Sequence, residues 1–221
     1  PIVADACSGS PGSIDITAAR LEGYGRIEAN GNSRNYSNDD SGNSSGGGRI
    51  AVRLTGAGET FSDAWVSKIN AKGYYTSKFA ADRSSSAGSI YLQTGDQSEG
   101  AGTVIIRNTG HTANNVAFTP IPSAKAGGEE DDFRKASLKT EAAARVKLFD
   151  NLRMVALDIA SDTALDLNGK TLVVNKATLG GVKLAPGTYA ADNAAVAGFV
   201  VDSATGGSLV VTGGGFSIIV R

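Results

Sequence analysis

The residues that could do chemistry in this chain are few and scattered. Gly169-Lys170-Thr171, inside "LDLNGKTLVV" (165–174), reads like the end of a phosphate-binding loop, whose backbone N–H groups and lysine hold phosphate oxygens. The full pattern requires another glycine five positions earlier, where Ala164 stands, and a helix afterwards, where Leu172-Val173-Val174 continues as a β-branched run. Asn168-Gly169 between two alternating apolar runs instead predicts a tight turn with two successive positive-φ residues, as in a two-residue hairpin. The nucleotide reading ends there.

Sugar hydrolysis or elimination would need paired carboxylates, or a strong base, on one face. Asp15 and Glu28 are the first acids in repeated positions, but their equivalents are Ala51 and Asn70, then Tyr91, so no acidic ladder forms. His111 is the single histidine. Its setting, "NTGHTANN", is polar, which predicts a solvated side chain. We therefore assign no catalytic residues and no enzyme activity. For metal, "SNDDSGN" (37–43) is rich in oxygen donors, and Asp39 and Asp40 are the candidate calcium ligands. The stretch fails the helix–loop–helix calcium pattern, which with Gly42 in sixth place would put acids at Ser37 and Gly48. No other cofactor is expected. The acidic run Glu129–Asp132 reads as a solvated charge run. For glycans, stacking needs exposed rings. Tyr36, Trp65, Tyr74 and Tyr75 lie in or beside variable loops; Trp65 reads as a loop clamp, and Tyr74 and Tyr75 are the candidate platform.

Composition narrows the partners. Basic and acidic residues number 21 and 22, so no basic stripe marks a nucleic acid or an anionic membrane. No apolar run approaches the roughly 20 residues that span a bilayer as a helix. Cys7 is alone, which removes any internal disulfide. The opening "PIVADACSGSPG" has neither an initiator Met nor a charged leader, and is expected to be the start of a processed or excised piece.

The elements that must position these residues come from a repeat. "GSIDITA" (12–18), "GRIAVRLTG" (48–56) and "GSIYLQTG" (88–95) share Gly, a polar residue, Ile and alternating apolar positions; their glycines are 36 and 40 residues apart. A second strand-like motif follows each: "RIEANG" (26–31), "KINAKG" (68–73) and "TVIIRN" (103–108). Such units predict stacked β-coils, because one unit cannot bury its apolar face alone. Ile14, Ile50 and Ile90 are expected to lie above one another. The repeat glycines are expected to permit sharp corners. Residues 1–110 thus read as three glycine-rich coils and 111–135, with Pro120 and Pro122, as a crossing loop. Residues 136–221 read as strands that continue or cap the stack. "FRKASLKTEAAARVKLF" (133–149) has helical composition, but Val146 and Leu148 alternate with Arg145 and Lys147, favouring strand or irregular structure.

Taken together, "GSIDITAARLEGYGRIEANG…GGGRIAVRL" and "LDLNGKTLVV…PGTY…GSLVV" resemble the glycine-rich coils and C-terminal segment of large bacterial surface proteins of autotransporter-passenger type. The resemblance spans most of 12–215 and implies an all-β, right-handed β-solenoid with a C-terminal β cap or further coils, found outside the cell or on the bacterial surface. Its shared positions are turn and core residues, which implies a non-catalytic structural or adhesive role. Glycan binding, and then a polysaccharide lyase or hydrolase, are the alternatives. The run of barrel strands that would anchor such a protein in a membrane is missing. The apolar end Phe216, Ile218, Ile219 and Val220, beyond a triple glycine, is suited to adding a strand to a neighbouring sheet edge. End-to-end strand pairing into an oligomer or fibre is the expected partner mode, with surface glycans as a second kind of partner.

Overall fold

The structure, a computed structural model, describes residues 2–3, 11–32, 45–74, 85–111, 117–122 and 133–213. Among these the protein is all-β apart from one helical turn, α1 (Asp63–Val66), capped by the Ser62 side chain. The first half contributes β1 (Ile2–Val3), β2 (Ser13–Ala18), β3 (Ile27–Glu28), β4 (Arg49–Leu54), β5 (Ile69–Asn70) and β6 (Ser89–Gln93). Then come β7 (Thr103–Arg107), β8 (Thr119–Ile121), β9 (Ser137–Glu141), β10 (Arg145–Leu148), β11 (Leu152–Ile159) and β12 (Ala164–Asp166). The last are β13 (Thr171–Leu179), β14 (Val182–Lys183), β15 (Gly187–Tyr189), β16 (Val200–Val201) and β17 (Ser208–Val211).

The chain alternates between sheets. In the first half β2, β4 and β6 enter one large sheet, while β1, β3 and β5 form a three-stranded one. In the second half β7, β9, β11, β13 and β17 continue the large sheet, while β8, β10, β12 and β16 form a four-stranded one. Pairing along both routes is parallel, with three antiparallel contacts in the large sheet: β6 with β7, β13 with β14, and β15 with β17. The expected register is present. Ile14 pairs with Ile50 and Ile50 with Ile90, and Ile27 pairs with Ile69 in the small sheet. Ile50 and Ile90 are 2% and 1% exposed, whereas Ile14 is half-buried, because among the described residues no strand lies beyond β2.

The repeat glycines answer to a different constraint from the one expected. None of Gly12, Gly48 and Gly88 has positive φ. A Cβ on Gly88 would run into the carbonyl oxygen of Gly48, and one on Gly48 into that of Gly12. Stacking distance, rather than a corner, therefore requires glycine at 48 and 88, while a Cβ on Gly12 would meet open space.

The third repeat departs from the first two. "TVIIRN" does not extend the small sheet; it turns back as β7, pairing antiparallel with β6 (Ile90 opposite Ile105) and parallel with β9. The cause is legible in its residues. Val104, Ile105 and Ile106 are consecutive and all buried, which suits a strand covered on both faces. Ile105 belongs to the core of the first half, with Ile50, Val52, Ile69 and Ile90; Val104 and Ile106 belong to that of the second, with Leu138, Val146, Leu157 and Val174. The large sheet thus carries its cores on opposite faces of its two halves, and β7 is the strand between them.

Two further expectations resolve. Residues 133–149 hold strands β9 and β10, joined through Ala142 and Ala143 at positive φ (48° and 59°). Within the expected crossing loop 111–135, Thr119–Ile121 is a strand, β8, paired with β10.

Candidate functional site

Where the core changes face, a step is left. On the outward face of β2, β4 and β6 only Tyr91 packs against a core, the second one, which begins beside it on that same side. Between them lies a groove with a cavity volume of about 640 Å³. Its floor is the outward face, and Pro120, Ile121, Phe133 and Ala136 stand at its wall. On the floor Asp15 accepts from an Arg53 guanidinium N–H at 2.6 Å. Arg53 lies 5.6 Å from the centre of the Tyr91 ring, a cation–π contact. The Tyr91 hydroxyl donates to Gln93 Oε1 (2.8 Å) and accepts from Gly102 N–H (3.0 Å), which fixes the ring. Arg49 is exposed and makes no ion pair among the described residues. The outward positions of "GRIAVRL" and "GSIYLQTG" carry this information, since alternation places Arg49, Arg53 and Tyr91 on one face, a signal that an acidic ladder does not capture.

A second polar cluster seals the junction. The Arg107 guanidinium donates to the Val66 and Ile69 carbonyls, the latter at 2.6 Å, and lies 3.4 Å from Glu141. Burial lowers its pKa, against the pull of Glu141. It thereby satisfies the Val66 carbonyl at the end of α1 and the Ile69 carbonyl of β5, where the small sheet ends. Asn108, fully buried, receives Gly73 N–H at 2.8 Å and donates to the Ser85 carbonyl at 3.0 Å. His111, expected to be solvated, is half-buried with Nε2 3.0 Å from the Gly73 carbonyl, and burial pushes its pKa down. These three side chains tie β7 to the first half.

A third cluster holds the turn at 167–170. Asn168 and Gly169 have φ of 50° and 72°, and Lys170 N–H reaches the Leu167 carbonyl at 2.8 Å, as expected for a turn of this kind. It is not a hairpin, because β12 and β13 belong to different sheets; it is a corner between them. Gly169 N–H donates to Asp202 Oδ1 and Gly207 N–H to Asp202 Oδ2, both at 2.6 Å. A carboxylate of the chain therefore occupies the N–H that a phosphate would need. Asp166, 1% exposed, accepts from Asn168 N–H and Ser203 N–H, both at 2.9 Å, and lies 3.2 Å from Lys147 Nζ.

The other candidates fall apart in space. Asp15 pairs with Arg53 on the large sheet and Glu28 with Arg26 (2.9 Å) on the small one, so these carboxylates do not converge. Trp65 is half-buried against the first core, in keeping with a clamp. Tyr74 is half-buried, with its N–H on the Ser45 carbonyl at 3.0 Å. Asp39, Asp40, Tyr75, Phe216, Ile218, Ile219 and Val220 lie outside the described residues. Among the described residues no group of His, Cys, Asp and Glu is placed to hold a metal, and no helix is long and apolar enough to cross a membrane. No protein-family model, curated protein or solved structure matches the chain.

Proposed function

We propose that this chain is a non-catalytic structural or adhesive module of the cell exterior, in which the alternating strands are the coils of a right-handed β-solenoid. The observation that carries the reading is the parallel, in-register stacking of equivalent residues in both sheets of the first half, Ile14–Ile50–Ile90 in one and Ile27–Ile69 in the other. The right-handed sense follows the general preference of crossover connections between parallel strands. The extracellular placement rests on the resemblance of the coils and the C-terminal segment to bacterial surface proteins. A carbohydrate-active enzyme is disfavoured by the separation of Asp15 and Glu28 onto different sheets.

Self-association follows from the unequal ends. β2 is a six-residue edge with Ile14 and Ile16 only half-buried. At the other edge β15 has three residues, pairs antiparallel and follows Pro186, features that discourage further pairing. Simple head-to-tail stacking of the two edges is therefore disfavoured. The apolar tail from Phe216 to Val220 is the segment we assign to a neighbour's β2 edge, forming an open chain of subunits. Light scattering at high concentration on the full chain, a chain ending at Gly213, and the full chain with Ile16→Lys tests this. Assembly of the first alone is expected. Monomers for all three, or equal assembly of all three, would overturn it.

A further inference from the structure

The groove at the face change offers a ligand site that the scaffold does not require, and its chemistry is specific enough to name a class. We propose that it binds a short neutral oligosaccharide along the outward face of β2, β4 and β6. Its volume, about 640 Å³, falls within the ~300–1,000 Å³ of small-molecule sites. Four charged side chains line it, Arg49 and Arg53 against Asp15 and Glu99, so the site carries no net charge. An anion would meet both carboxylates and a cation both guanidinium groups. A polyhydroxylated ligand uses both kinds, accepting from Arg and donating to Asp and Glu, while its C–H faces lie against Tyr91 and Phe133.

Length argues for more than one sugar ring. Arg49 and Arg53 are four residues apart on the same face of β4, so their backbones stand roughly 13 Å from each other. The floor can also be rearranged at little cost. Arg53 and Asp15 side chains are 36% and 66% exposed, and a pair so exposed contributes only ~0–1 kcal/mol. Arg49 has no ion pair among the described residues to give up. The groove arises because β7 moves the core to the other face, so the two half-cores meet with a step. This inference is independent of self-association, since the groove floor is a sheet face and the assembly contact is a sheet edge.

The test is titration calorimetry on the full chain with neutral hexose oligosaccharides and size-matched uronate oligosaccharides, together with amide chemical-shift mapping. Saturable binding of a neutral oligosaccharide is expected, with shifts concentrated on β2, β4 and β6. Arg49→Ala and Arg53→Ala should each weaken it about tenfold, the loss of one charge-assisted hydrogen bond. Tyr24→Ala, at a ring 95% exposed and outside the groove, should change nothing. Thermal melts of the variants establish that they remain folded. The proposal fails if no neutral oligosaccharide saturates the chain or if both arginine variants bind like wild type. It fails equally if uronates bind more tightly with an affinity that salt abolishes, which would make the site an anion site.

Discussion

Asp166 sits in a place where burial alone would push its pKa up, yet its carboxyl is held below the ordinary range. The N–H groups of Ser203 and Asn168 and the Lys147 ammonium outweigh the loss of water. A carboxyl whose folded pKa is depressed adds stability above its unfolded value, near ~4, and loses it as pH falls through the folded value. Urea midpoints of the wild type should therefore fall on acidification below about pH 4. Asp166→Asn should cost about 3 kcal/mol at neutral pH, because Lys147 loses its buried partner, and should make the acid dependence shallower. Identical pH profiles for the two proteins would place the acid sensitivity elsewhere. The neighbouring turn gives a second contrast. Gly169→Val must hold a β-branched residue at φ of 72°, with its Cβ 3.1 Å from the Thr205 carbonyl oxygen. It should lose at least ~2 kcal/mol or fail to fold. Lys170→Ala should shift the midpoint by less than ~0.5 kcal/mol, because only its backbone serves the corner. The Asn168-Gly169 geometry was legible in two letters. The corner role was not, since it depends on which sheets β12 and β13 join.

At the scale of elements, β7 is the informative strand. Elsewhere alternation separates core from outside: in β13, Leu172 and Val174 are fully buried while Val173 is half-buried. In β7 the alternation separates one core from the other. Ile105→Ala and Ile106→Ala, although they point to opposite faces, should each cost about 3 kcal/mol in urea denaturation. Val173→Ala, on the outward face of β13, should cost under ~1 kcal/mol. A near-silent Ile105→Ala would mean that the first core does not close on β7. The run Val104-Ile105-Ile106 announced burial on both faces. The repeat spacing nevertheless led us to align "TVIIRN" with "RIEANG" and "KINAKG". What distinguishes it is the polar Arg107-Asn108 pair that follows, which satisfies backbone groups from Val66 to Ser85 by contacts 23 to 41 residues distant in sequence.

For the whole molecule, the two half-cores share one strand and end in unlike edges. Amide hydrogen exchange should follow that asymmetry. The slowest amides are expected over 156–159 of β11 and 172–174 of β13, which pair on both sides and face the larger core. The fastest among the paired strands should be those of β2, where one side of the backbone has no strand among the described residues and the apolar residues are half-buried. Uniform protection across the sheet would show that the halves open together.

By itself the sequence determined the all-β class, the register in which the first strands of the three repeats stack, and the positive-φ turn at Asn168-Gly169; over 133–149 it favoured strand or irregular structure without settling strand against helix. Each of these depends on period-two patterning or on the steric needs of one residue, which neighbours in the chain suffice to express. Only the tertiary structure decided that β7 turns back, that the core then changes face, and that Arg49, Arg53, Asp15 and Tyr91 gather above the step so formed. Those outcomes turn on which of two apolar faces finds a partner. That choice is made by contacts between residues far apart in the chain, where composition and spacing are silent.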